Sequence, residues 1–174
     1  NKGWEIATKI RLGPIDISAN YSILDSRWGE DSLRQNDPIY EGFFDKGVRR
    51  NDVPESTGNL TFSYYIPGYN AKSKKGGSVV LGINYIGKKK GRDWLLYYDG
   101  FYNPDIPTIS YYSEDLLTTY DPFTTLRLRC NYWVTNKISF FFDIRNLTEH
   151  SDISRSITEP ALGRQVMMGL DLEL

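Results

Sequence analysis

Gln165-Val166-Met167-Met168-Gly169-Leu170-Asp171-Leu172-Glu173-Leu174 is the stretch that decides the fold. Val166, Met168, Leu170, Leu172 and Leu174 occupy every second position, with Gln165, Met167, Gly169, Asp171 and Glu173 between them. A period of two marks a strand with one apolar and one polar face, whereas a helix repeats its apolar positions every three to four residues. The pattern recurs at 138–146, where Ile138, Phe140, Phe142 and Ile144 oppose Ser139, Phe141, Asp143 and Arg145. Leu126, Leu128, Cys130, Tyr132 and Val134 oppose Arg127, Arg129, Asn131 and Trp133, and Val79, Leu81, Ile83 and Tyr85 oppose Val80, Gly82 and Asn84. Leu60, Phe62, Tyr64 and Ile66 oppose Thr61, Ser63 and Tyr65, while Ile15, Ile17, Ala19, Tyr21 and Ile23 oppose Asp16, Ser18, Asn20 and Ser22. Trp4, Ile6, Ile10 and Leu12 against Glu5, Lys9 and Arg11 complete a set of about seven strands, all antiparallel by their connections.

These strands run to ~9–11 residues, longer than the ~5–6 usual in soluble sheets and matched to a tilted bilayer crossing. Charged groups recur on one face of nearly every strand, opposite an aromatic-rich apolar face. That is the outer-membrane pattern, apolar toward lipid and polar toward the lumen. The connections alternate as well. Gly13-Pro14 and Thr135-Asn136-Lys137 are tight and 67–77 is moderate, whereas 25–55, 87–122 and 147–164 are long. Short turns at one end and long loops at the other are the mark of such a barrel.

Composition agrees. The chain has 174 residues, with 21 basic against 22 acidic, so no basic field exists to draw nucleic acid. Aromatic residues make up 14%, which argues against disorder. No run of ~18 apolar residues is present, which excludes a transmembrane helix but not a transmembrane strand. One cysteine, Cys130, rules out an internal disulfide, and one histidine, His150, argues against a histidine metal cluster or a histidine-based triad. The chain is expected to be neither an enzyme nor the holder of a cofactor or metal.

Several blocks carry a family resemblance. Asn20-Tyr21-Ser22-Ile23-Leu24-Asp25-Ser26-Arg27 leads into a long loop, and Val53-Pro54-Glu55 followed by Asn59-Leu60-Thr61-Phe62 returns from it. Ile83-Asn84-Tyr85-Ile86-Gly87 leaves the next strand, Phe142-Asp143-Ile144-Arg145-Asn146-Leu147-Thr148 ends the penultimate one, and Gly163-Arg164 precedes the last. In order and spacing, across essentially the whole chain, these resemble the C-terminal part of the β-barrel of a TonB-dependent outer-membrane receptor of Gram-negative bacteria.

The resemblance implies an all-β antiparallel transmembrane barrel of 22 strands, of which this chain is an open segment of about seven, the sixteenth to the twenty-second. Its long loops are then the ninth to eleventh extracellular loops, and its short turns lie in the periplasm. Residues 1–174 form a single barrel segment without the family's plug domain or TonB box. The chain ends at Leu174, where the family commonly ends on an aromatic residue. Seven strands cannot close around a plug, and an open sheet would leave two unpaired edges in lipid. The chain is therefore expected to be one part of a larger barrel that pairs along both edges.

The candidate functional residues fall into three groups. Aromatic residues of the long loops (Tyr40, Phe43, Phe44, Trp94, Tyr97, Tyr98, Tyr102, Tyr111 and Tyr112) either capture a ligand or pack on one another. Arg127, Arg129, Asn131, Asp143, Arg145, Asp171 and Glu173 face the lumen, where they either pair among themselves and with a plug or line a solute path. Lys88, Lys89, Lys90 and Arg92 stand past a strand's outer end, as a grip for lipopolysaccharide phosphates or another anion, or as solvated loop charge. His150 reads as a surface loop histidine, Cys130 as a small hydrophobe on the lipid face, and the acidic loop residues as solvated charge rather than a calcium site.

The resemblance implies active uptake of a scarce solute (iron chelate, as in siderophore uptake, cobalamin, glycan or similar), driven by TonB through the plug. Its implied partners are the remaining strands and plug, the TonB complex, outer-membrane lipid and lipopolysaccharide, and the solute. Two other readings fit the pattern: a small self-contained barrel with a structural or adhesion role, and a soluble lectin-like β-sandwich.

Overall fold

The computed structural model describes residues 1–30, 44–66, 68, 75–105, 114–150 and 163–172. In chain order the elements are β1 (Lys2–Leu12), β2 (Ile15–Asp25), β3 (Ser56–Tyr65), β4 (Gly76–Ile86), β5 (Lys89–Arg92), α1 (Trp94–Tyr102), a 3-10 turn (Glu114–Leu116), β6 (Leu117–Tyr120), β7 (Phe123–Trp133), β8 (Ile138–Arg145) and β9 (Gln165–Leu172). Seven of the strands form one sheet in the order β1-β2-β3-β4-β7-β8-β9, every neighbouring pair antiparallel. The short β5 and β6 pair separately. These seven are the strands expected from alternation. Three of them, β3, β4 and β7, start three to four residues earlier than the apolar pattern suggested, because Thr57 to Asn59, Gly76 to Ser78, and Thr124 and Thr125 extend the backbone ladder without adding apolar side chains.

Register follows from the turns. Leu12 pairs with Ile15 across Gly13-Pro14, and Gly13 has φ +58°, the positive value that the first position of a two-residue hairpin demands. At the β7–β8 turn, Thr135 Oγ1 accepts from the Lys137 and Ile138 amides at 3.2 and 3.1 Å, a hydroxyl-closed turn. With register fixed, every residue's face is fixed, since a slip of one residue would turn every side chain over. The row Ile6–Tyr21–Gly58–Tyr85 lies on one face, and the row Arg11–Asp16–Ser63–Val80–Arg129–Asp143–Met167 lies on the other.

The two faces invert the arrangement of a water-soluble protein. The apolar one is bare: Ile6 is 61% exposed, Met168 75% and Leu172 60%, with Trp4, Ile10, Leu12, Phe62, Tyr132, Phe140 and Leu170 also exposed. The polar one holds buried charge, with Asp143 3% and Asp16 7% exposed. Among the described residues the only buried large hydrophobics, Leu116 and Tyr120, belong to the β5–β6 region rather than to the sheet. A lectin-like sandwich would cover its apolar face with a second sheet. Among the described residues none lies there, and no helix is long and apolar enough to cross a membrane. β1 and β9 do not pair with each other, so the sheet is open and not a small closed barrel.

Aromatic rings edge the apolar face at both ends. Trp4, Tyr21 and Tyr85 line the long-loop end, with ring centroids 6.2 Å apart for the first pair and 6.5 Å for the second. The second pair meets over Gly58, where an added Cβ would come within 3.0 Å of the Tyr21 ring. Tyr64 and Tyr132 stand at the turn end. Tyr132 pairs with Gly77, eight positions before Tyr85 on the same strand. That separation is ~27 Å along the strand, or ~20 Å of height at a tilt of ~40°, close to the ~25 Å apolar band of an outer-membrane barrel.

Alternation alone did not reveal structure inside the long connections. Residues 26–28 and 47–50 run as a short ladder (Trp28 N–H to Val48 O, 2.9 Å; Arg50 N–H to Ser26 O, 2.9 Å). The β3–β4 ladder also continues outward through Glu55 N–H to Lys88 O (2.8 Å) and Asp52 N–H to Lys90 O (2.6 Å). The long loops are therefore rooted on ribbons that rise from the sheet. In the full-length protein in lipid vesicles, Phe142→Arg on the apolar face is expected to cost ~2–4 kcal/mol, and Thr61→Lys on the polar face less than about 1 kcal/mol. Denaturant unfolding checks this; equal costs at the two positions would contradict the assignment of faces.

Candidate functional site

The polar face is built around a carboxylate. Asp143 on β8 sits directly across from Arg129 and accepts two hydrogen bonds from Arg127, at 2.9 Å from Nε and 2.5 Å from Nη2. Arg145 Nε stands 3.5 Å from the same carboxylate. Two guanidinium groups thus hold one buried anion, and the fork of Arg127 matches its two oxygens. Arg129 is in no salt bridge among the described residues. Asn131 lies two positions further along β7, and Asp171 on β9 pairs in register with Ser139. Between them the sheet forms a hollow of about 660 Å³ lined by Thr61, Asn84, Arg129, Asn131, Trp133 and Asp171 among others. Six of the seven residues expected to face the lumen therefore share this face. Glu173 lies outside the described residues.

A second ion pair on this face escaped the sequence reading. Arg11 donates to Asp16 at 2.5 and 2.7 Å, and the Tyr65 hydroxyl stands 3.3 Å from the same carboxylate. The signal was present, since Arg11 and Asp16 are equidistant from the Gly13-Pro14 turn and must meet across the hairpin.

The loop candidates divide. Tyr40, Phe43, Tyr111 and Tyr112 lie outside the described residues. Phe44 packs edge-on against Trp28 at 4.9 Å, and Arg50 covers the other ring system of that contact, 4.6 Å from the Trp28 centroid. Trp28 is a packing centre that the sequence reading overlooked. Trp94, Tyr97, Tyr98 and Tyr102 all belong to α1, which starts where Asp93 accepts a hydrogen bond from the Leu96 amide at 3.0 Å. Trp94, Tyr98 and Tyr102 repeat every four residues and form a ladder, with centroids 6.4 and 6.1 Å apart.

The basic cluster is split in its surroundings. Lys89 is turned inward, its Nζ 3.5 Å from Asp52 and 5.6 Å above the Tyr120 ring. Arg92 lies over Trp94 at 6.0 Å. Lys88 and Lys90 are exposed. His150 is not a plain surface histidine: it stacks on Phe123 at 4.6 Å, and Asn146 brackets its backbone by accepting from its N–H (3.1 Å) and donating to its carbonyl (2.6 Å). That clasp, with Asn146 at φ +52°, is the structural reason for Asn146-Leu147-Thr148 at the end of β8. Cys130 sits on the apolar face between Val79 and Phe142. Among the described residues no group of three acidic, histidine or cysteine side chains comes together to hold a metal.

No protein-family model matches the chain, and no curated protein matches it in sequence. Solved structures do match in fold. The siderophore receptor PirA from Acinetobacter baumannii superposes over 98% of this chain with a TM-score of 0.65 and 20% identity, and the chain covers 21% of it. A variant of the ferric enterobactin receptor PfeA from Pseudomonas aeruginosa matches 98% of the chain with a TM-score of 0.60 and 14% identity, 22% of it being covered. The ferripyoverdine receptor of the outer membrane of P. aeruginosa, solved with ferripyoverdine bound, matches 98% of the chain with a TM-score of 0.55 and 17% identity, 19% of it being covered. The chain spans about a fifth of the length of these receptors and shares their fold over that part.

The central carboxylate makes a stability prediction. Asp143→Asn leaves the Arg127 and Arg145 guanidinium groups without their counter-ion and is expected to destabilise the full-length protein by about 1–3 kcal/mol, the half-exposed Arg127 moderating the loss. Replacing both partners (Asp143→Leu with Arg127→Met) is expected to recover part of that loss in the same denaturant titration.

Proposed function

We propose that this chain is the closing wall of a TonB-dependent outer-membrane receptor, the last seven strands of a 22-stranded barrel that captures and actively imports a scarce solute. The observation that carries this reading is the inversion of the sheet: a bare apolar face with aromatic borders, backed by a face of buried ion pairs. Lipid suits the first face and a polar filling suits the second. The fold likeness to three receptors supports it, and their named ligands favour a ferric siderophore as the solute.

On this reading each part has a task. The edges β1 and β9 pair with the preceding strand and with the first strand of the same barrel. The Asp143 cluster and the hollow beside it meet the plug, through which TonB acts. The long loops stand outside the cell, where the aromatic side chains of 31–44 and 106–113, with Tyr97 of α1, hold the solute. The apolar face meets outer-membrane lipid. The protein does no chemistry on its cargo; its work is binding followed by an energised opening.

Two experiments test the reading. Cells lacking the full-length gene are expected to lose uptake of a radiolabelled ferric siderophore, and wild-type uptake is expected to stop when a protonophore collapses the inner-membrane gradient. Uptake that persists without energy would point to a passive pore. Separately, an epitope inserted at Asp105 is expected to bind antibody on intact cells, and one inserted beside Ser73 only after the outer membrane is broken. The reverse labelling would overturn the topology.

A further inference from the structure

We propose that the Trp94–Tyr98–Tyr102 stripe of α1 is a saccharide-binding shelf, occupied by the sugar chain of the lipopolysaccharide that surrounds the barrel. The inference rests on the receptor reading for one thing only, the placement of residues 87–122 outside the cell. The shelf itself is local geometry. Tyr98 and Tyr102 lie within 9° of parallel, and Trp94 continues the row at 34°. Tyr102 is 79% exposed and Tyr98 38%. The stacked pair ends on the largely exposed Tyr102 ring, which offers an apolar face, and the Tyr98 hydroxyl, with exposed Asp99 and Asn103 nearby, offers hydrogen bonds at its border. A pyranose ring presents the matching pair, a C–H face rimmed by hydroxyl groups.

Charge leaves the occupant open and height narrows it. Asp99 is the one charged residue of α1, and Arg92 lies over Trp94 at 6.0 Å, so the two charges on the shelf balance and neither sign of ligand is selected by charge. A hydrocarbon ligand does not fit, because the shelf stands beyond the aromatic border at Tyr85. Trp94 comes nine positions after Tyr85, a reach of at most ~30 Å. The exposed Lys88 and Lys90 come first, within ~10–17 Å of that border, where glycolipid headgroup phosphates lie. Phosphate at the lysines and neutral sugar at the aromatic rings reproduce the order of groups in that lipid, read outward from the membrane. The shelf is also preorganised. The Asp93 amide donates to Leu116 O at 2.7 Å, and Leu116 is fully buried, so α1 is fixed on the 3-10 turn and little ordering remains to be done on binding.

The test uses the full-length protein in detergent, as wild type, Tyr98→Ala/Tyr102→Ala and Lys88→Ala/Lys90→Ala. Each is titrated calorimetrically with delipidated, dephosphorylated polysaccharide and with intact lipopolysaccharide. The wild type is expected to bind the polysaccharide, and loss of the two rings to weaken that binding about ten- to hundredfold. The lysine variant is expected to bind the polysaccharide as the wild type does and intact lipopolysaccharide less tightly. No binding of polysaccharide by the wild type, or equal binding by the aromatic variant, would overturn the shelf. Siderophore uptake that fell in the aromatic variant while its polysaccharide binding stayed unchanged would also overturn it and assign the rings to the solute. If the polysaccharide bound but the Asp105 epitope proved unreachable on intact cells, the receptor topology would fall, and with it the leaflet as the source of the sugar.

Discussion

Backbone hydrogen bonding in hydrocarbon allows no exceptions: each unpaired N–H or C=O there costs several kcal/mol, so a sheet that enters lipid must have no free edge. The rest of this structure follows from that constraint. Five of the seven strands are paired on both sides, while β1 and β9 each present one unpaired edge. Among the described residues no second layer covers the apolar side chains of these same strands. An exposed apolar face and two unsatisfied edges are defects in water. Inside a larger barrel in a bilayer they become a lipid surface and two seams.

The same constraint governs the charges. A guanidinium or carboxylate cannot face hydrocarbon cheaply, so every charge in the middle of a strand is sent to the other side, and there it must find a counter-ion. Arg11 with Asp16, and Arg127 with Asp143, meet that need inside the sheet by bidentate geometry. Arg129 and Asp171 border the hollow without an ion pair among the described residues, which leaves that part of the wall ready for a polar filling.

The strands were legible in the sequence because a period of two is a local signal that burial on one side writes directly into residue choice. Val166 to Leu172 and Ile138 to Ile144 could be assigned to a face from the sequence alone, and the register agrees. Strand starts were less legible: Ser56 to Asn59 and Gly76 to Ser78 pair through their backbones, and polar or glycine residues carry no facial signal. The loops were read least well. α1 is nine residues long and almost wholly aromatic or aliphatic, so it has no polar face to set a helical period. The inward turn of Lys89 depends on Asp52, 37 positions earlier, and the Trp28 packing depends on Phe44 and Arg50 from the far side of a loop. Contacts of that kind are set by tertiary geometry and leave no periodic trace.

The central claim is that one face of this sheet meets lipid and the other does not, and a spin-label scan along β8 tests it most directly. Single cysteines placed at 138 to 145 in the full-length protein, labelled and reconstituted in vesicles, would be read for collision with oxygen and with a water-soluble nickel complex. The account predicts strict alternation, with oxygen dominant at 138, 140, 142 and 144 and excluded at 139, 141, 143 and 145. Uniform access to the nickel complex along the strand, or an oxygen signal with a helical period, would contradict it.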